Sequence, residues 1–107
     1  MIIYEVNLTV EQSVAKEFAA WLPPHIETIL KFDGFISASW FERRHQDEGK
    51  ADNSSEVLWT VQYRLKDRAS LENYLEKHAP AMREDGKRRF GGRFSAQRRV
   101  LTQLQEF

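Results

Sequence analysis

The 107-residue chain contains no cysteine. That absence excludes disulfides, thiolate metal ligands and cysteine nucleophiles. Long apolar runs are missing too, and none approaches the roughly 20 residues that a membrane-crossing helix needs. Charge of one sign is also lacking: 16 basic and 16 acidic residues balance to zero, so no general attraction to nucleic acid is expected. Met1 to Glu5 have neither the basic flank nor the apolar stretch of a signal peptide. These absences lead to the expectation of a cytoplasmic protein with no membrane partner.

What is present is globular in proportion, with 41% hydrophobic and 30% charged residues in a length suited to one domain, residues 1–107. Ile2, Tyr4, Val6, Leu8 and Val10 alternate with Ile3, Glu5, Asn7 and Thr9, the period of a half-buried strand. From Glu11 the spacing changes to that of an amphipathic helix through Val14, Phe18, Trp21, Leu22, Ile26 and Ile29. Thr9 is its candidate cap. Pro23-Pro24 are expected to kink or restart it near Leu22, and Asp33-Gly34 to end it. A second strand spans 35–43 and a third 57–65. Between them lies a polar hairpin loop, 44–55, without a large apolar residue. Asp67 can cap a second helix carrying Leu71, Tyr74, Leu75 and Met82, which Pro80 should divide in two. Gly91-Gly92 turns the chain into a last strand, 94–104. The order is β-α-β-β-α-β.

That order, with Lys31-Phe32-Asp33-Gly34-Phe35 leading into the second strand, resembles the dimeric α+β barrel superfamily. The stretch from Tyr74 to Leu101, with Phe90-Gly91-Gly92-Arg93-Phe94 at its centre, is similar to a family of small bacterial proteins of unknown function. The resemblance implies a ferredoxin-like α+β fold, with a four-stranded antiparallel sheet carrying two helices on one face. It also implies a homodimer closed through the sheets. The superfamily includes cofactor-independent monooxygenases, haem-degrading enzymes and chlorite dismutase-like proteins, but fold likeness carries no catalytic residues to this chain.

Two helices can cover one sheet face, leaving the other to a ligand or a second copy. The apolar rows of strands one and three suit the helices. The open face then offers Glu5, Asn7, Gln62 and Arg64 as a candidate small-molecule pocket. Glu5 would be either a base or the internal partner of Arg64, Arg98 or Arg99. A second candidate lies in the basic segment from Arg83 to Arg99, with seven basic and two acidic residues. There Arg89, Arg93, Arg98 and Arg99 could recognise an anion, although Arg98 and Arg99 must point to opposite faces of one strand. Phe18, Trp21 and Trp59 are expected in the core. His25, His45 and His78 lack ligand spacing, and the glycines match no nucleotide-binding pattern, so neither metal nor cofactor is expected. Ile3 to Leu8 partly resembles one RNA-contacting motif. The third strand lacks the basic-Gly-aromatic opening of the other, so a nucleic-acid partner is not expected. The functional expectation is a small-ligand-binding or interaction module, with a monooxygenase-like enzyme as the alternative and anion binding through 83–99 as the second.

Overall fold

The alternating segment at the start forms β1 (Ile2–Glu11) in the computed structural model, which describes residues 1–107. It lies at the centre of a four-stranded antiparallel sheet ordered β2-β3-β1-β4, with β2 at Phe35–Arg43, β3 at Glu56–Leu65 and β4 at Phe94–Thr102. Register carries the alternation across the sheet. Tyr4 stands between Tyr63 and Val100, and Glu5 between Gln62 and Arg99. Three helices, α1 (Ala15–Ile29), α2 (Arg68–Lys77) and α3 (Ala79–Phe90), connect the strands. Their apolar stripes meet the row of Ile2, Tyr4, Leu8 and Val10 in one core with Phe18, Leu22, Val61, Leu65 and Leu71. This is the ferredoxin-like arrangement.

Local chemistry explains most boundaries. Asp67 caps α2: its carboxylate accepts the Ser70 amide at 2.9 Å, satisfying one of the donors a helix start leaves free. Pro80 lies in the first turn of α3, where a missing amide proton costs nothing. Gly34 takes a left-handed φ of 85°. A Cβ there would stand 2.1 Å from the Ser70 hydroxyl, so glycine is required both for the turn and for the close approach of α2.

Some expectations are corrected. Thr9 is not a cap, because β1 continues through Glu11 and a short 3₁₀ turn, Gln12–Val14, leads into α1 without a side-chain cap. Pro23-Pro24 do not restart the helix, which runs unbroken from Ala15 to Ile29. Both rings are exposed, and the buried anchors Phe18, Leu22 and Ile29 span them. Packing along that face outweighs two lost backbone bonds. The last strand ends at Thr102, leaving Leu104 and Phe107 exposed. Phe18 is 1% exposed, whereas Trp21 and Trp59 are half-buried against the core. His45 is buried in the otherwise polar hairpin, 3.3 Å from Glu56.

Candidate functional site

Glu5 occupies the open face of the central strand and is only 3% exposed. Burial alone would raise the pKa of its carboxyl. Three donors outweigh that: Arg99 Nε forms a salt bridge with Oε2, while Asn7 Nδ2 and Gln62 Nε2 each donate at 2.9 Å. Together they hold the carboxyl at about 2. Thr60 extends the network by donating to Asn7 Oδ1 at 2.6 Å. Such a carboxylate is far too weak a base for chemistry at neutral pH, and its acceptor sites are occupied. Arg64 turns away from this network, donating to Ser39 at 3.2 Å and Ser37 at 3.5 Å on β2. The expected open-face set therefore contains one network of Glu5, Asn7 and Gln62, with Arg64 apart. Beside it opens a cleft of about 460 Å³ that also includes Arg43, Glu48 and Lys50. Arg43 and Glu48 pair at 2.7 Å, and Lys50 reaches the same carboxylate at 3.7 Å. The charges of that cleft pair with one another, while Arg43 Nε is left as a buried donor without a partner.

The four arginines of the basic segment do not share one surface. Arg89 is tied to Asp85 at 3.3 Å on α3. Arg93 ends the 3₁₀ turn Gly91–Arg93. Arg99 meets Glu5 on the open face, while Arg98, opposite Val6 in the register, belongs to the face covered by the helices. Strand alternation separates the last two.

A different cavity lies between α1, α3 and the sheet, with a volume of about 360 Å³. Val6, Leu8, Val61 and Ala96 contribute from the strands, while Phe18, Trp21, Leu22 and Met82 contribute from the helices. Gly86 on α3 admits the two rings beside it, because a Cβ would come 3.3 Å from Trp21 and 3.4 Å from Phe94. The Trp21 indole is fixed by donating to Asp85 at 2.9 Å, and His25 stacks on it at 4.2 Å. Burial lowers the His25 pKa, opposed by the charge of Asp85, so the imidazole is neutral at pH 7. Burial also raises the phenols of Tyr63 and Tyr74, keeping them protonated. Arg83 donates to the Tyr4 hydroxyl at 3.2 Å, and Lys87 and Arg98 complete the lining with exposed side chains. Tyr4, His25, Tyr63 and Tyr74 were missed as site residues, whereas Arg83, Lys87 and Arg98 fall within the basic segment 83–99 expected to bind an anion. A signal was present: the covered row of β4 runs Phe94, Ala96, Arg98, Val100, placing a cation in an apolar stripe.

The fold defines a class, the ferredoxin-like α+β proteins. Within it, the chain belongs to the family described as a domain of unknown function, DUF4286, whose model matches residues 1–104. No curated protein matches it. Among solved structures it is similar to a mutant of SnoaB, a cofactor-independent oxygenase from Streptomyces nogalater. The identity is 12%, the TM-score 0.66, and the coverage 98% of this chain and 95% of that one. It is also similar to Rv0793 from Mycobacterium tuberculosis, at 16% identity and TM-score 0.64, covering 99% and 98%. An ethd-family protein from Bacillus halodurans gives 16% and 0.60, covering 97% and 100%. Likeness at these identities is likeness of fold.

Proposed function

We propose that this protein is a cytoplasmic homodimer in which each protomer binds a small, mostly apolar molecule between its helices and its sheet. The carrying observation is the 360 Å³ cavity, lined by 20 residues of which 13 are hydrophobic. Its size suits a drug-sized ligand, and a few convergent polar groups are what such a ligand needs for orientation. The open-face residues Glu5, Asn7, Gln62 and Arg64 are assigned to the interior of the dimer, where a self-satisfied network fits better than a ligand site. Support for pairing comes from that face itself: no helix covers it, and Phe41 and Leu101 are 44% and 38% exposed on it.

A second reading, a monooxygenase-like enzyme, is favoured by the neutral His25 imidazole within the cavity lining. It could accept a proton from a bound molecule, and SnoaB, similar in fold, is a cofactor-independent oxygenase. Native mass spectrometry of gently purified protein tests the main reading. The expected species is twice the 12.6 kDa chain, carrying additional mass from retained small molecules. A bare 12.6 kDa monomer at micromolar concentration would count against both parts.

A further inference from the structure

The helix–sheet cavity contains no aspartate or glutamate among its 20 lining residues, while Arg83, Lys87 and Arg98 all belong to it. None of these three cations has a carboxylate within ion-pairing distance anywhere in the chain, where the seven salt bridges involve only Arg43, His45, Lys50, Arg88, Arg89 and Arg99. The neighbours on α3 sharpen the contrast. Arg88 and Arg89 both share Asp85 at 3.3 Å, one step around the helix from Lys87. Arg83 and Lys87, four residues apart, lie on the same side of α3, where like charges repel. The open-face cleft holds as many cations, Arg43, Lys50 and Arg99, but balances them with Glu5 and Glu48. Lys87 in the last turn can be explained by the negative end of the helix. Arg83 lies earlier in α3 and Arg98 sits on a strand, so the helix end explains neither. Arg98 follows Phe94 and Ala96 in the helix-side row of the edge strand β4, which places its charge at the rim of the cavity.

We infer that the ligand of this cavity is an amphipathic anion: an apolar body held between helices and sheet, with one acidic group at Arg83, Lys87 and Arg98. The inference rests on the cavity reading above and adds the charge class. Arginine offers paired donors to a carboxylate, sulfonate or phosphate, and lysine a mobile third. The exposed ends of these side chains place the acidic group at the mouth, where it stays partly hydrated while the apolar body enters. Tyr4 links the two zones, since its hydroxyl accepts from Arg83 at 3.2 Å and keeps its own proton for the ligand.

A matched pair of fluorescent probes separates charge from cavity: anilinonaphthalene sulfonate and its uncharged parent, phenylnaphthylamine. The sulfonate is expected to bind about tenfold tighter, the equivalent of one charge-assisted contact, and to weaken as salt is added. Arg98→Gln and Lys87→Ala should each lower its affinity about three- to tenfold. Neither should change binding of the neutral probe, which also reports that each variant is folded. Ala96→Phe, filling the sheet side of the cavity, should abolish both. Equal affinity for the two probes, or indifference of the sulfonate to both cation substitutions, overturns the anion assignment and leaves the cavity reading standing. Failure of both probes to bind, or binding that survives Ala96→Phe, overturns the cavity reading itself.

Discussion

Alternate residues of the same four strands build two surfaces that solve opposite problems. On the covered face β1 contributes Ile2, Tyr4, Leu8 and Val10, all buried beneath helices. On the open face it contributes Ile3, Glu5, Asn7 and Thr9, and the buried polar groups there, Glu5 and Thr60, are held by hydrogen bonds. One side gains stability from area removed from water, the other from the hydrogen bonds and ion pair gathered around Glu5. The polar side has the appearance of a site, yet its charges answer one another. The apolar side reads as simple core, yet it leaves a cavity whose lining includes three cations without a carboxylate partner.

The largest expected effect lies at the centre of the covered face. Phe18 is 1% exposed and touches the rings of Trp21, Trp59, Phe90 and Phe94 at centroid distances of 4.7 to 6.1 Å. Phe18→Ala should cost about 3–5 kcal/mol in thermal or urea unfolding. A loss below about 1 kcal/mol would mean that the helices do not pack closely there, and the contrast between faces would fail.

Next comes the centre of the open face. Arg99, Asn7 and Gln62 hold the folded carboxyl of Glu5 down at about 2, from an ordinary value of 4.5. Its stabilising contribution is therefore complete above 4.5 and is lost as pH falls from there towards 2. The contribution at neutral pH is on the order of 3 kcal/mol. Glu5→Gln, which imitates the protonated form, should be less stable than wild type by that amount at neutral pH. The two proteins should converge as the pH approaches about 2. Urea titrations at several pH values measure the gap, and a gap independent of pH would assign the loss to packing rather than charge.

The covered row, the boundaries of β2 and the Asp67 cap were legible because each is set by local pattern. Period two, a glycine before the strand and an acid before the helix need no distant partner. The site was less legible because cavities depend on how faces meet. Tyr4, Tyr63, His25, Arg83 and Arg98 come from five separate elements, and no spacing rule joins them. The bulge between Phe35 and Ser37 illustrates the same limit. Alternation alone leaves β2 ambiguous; the register shift places Phe35 against Tyr63 and Tyr74 under the helices while Ser37 and Ser39 share the open face with Arg64. The internal pairing of Glu5 was foreseeable as a choice among three arginines. Only register selects Arg99.

The smallest expected effect tests whether the open face is graded from centre to edge. Arg64 makes two hydrogen bonds to neutral hydroxyls, at 3.2 Å to Ser39 and 3.5 Å to Ser37, and no salt bridge. Both are longer than the bonds around Glu5, and the arginine is half-exposed rather than buried. Removing it leaves two serines that water can reach, so no buried group is orphaned. Arg64→Ala should therefore change the protomer's unfolding free energy by about 0.5 kcal/mol or less. The measurement belongs at low protein concentration, because any association through this face adds a concentration-dependent term to apparent stability. A cost equal to that of Glu5→Gln would mean that Arg64 belongs to the same cooperative network despite its separate contacts, and that the open face is uniform rather than centred on Glu5.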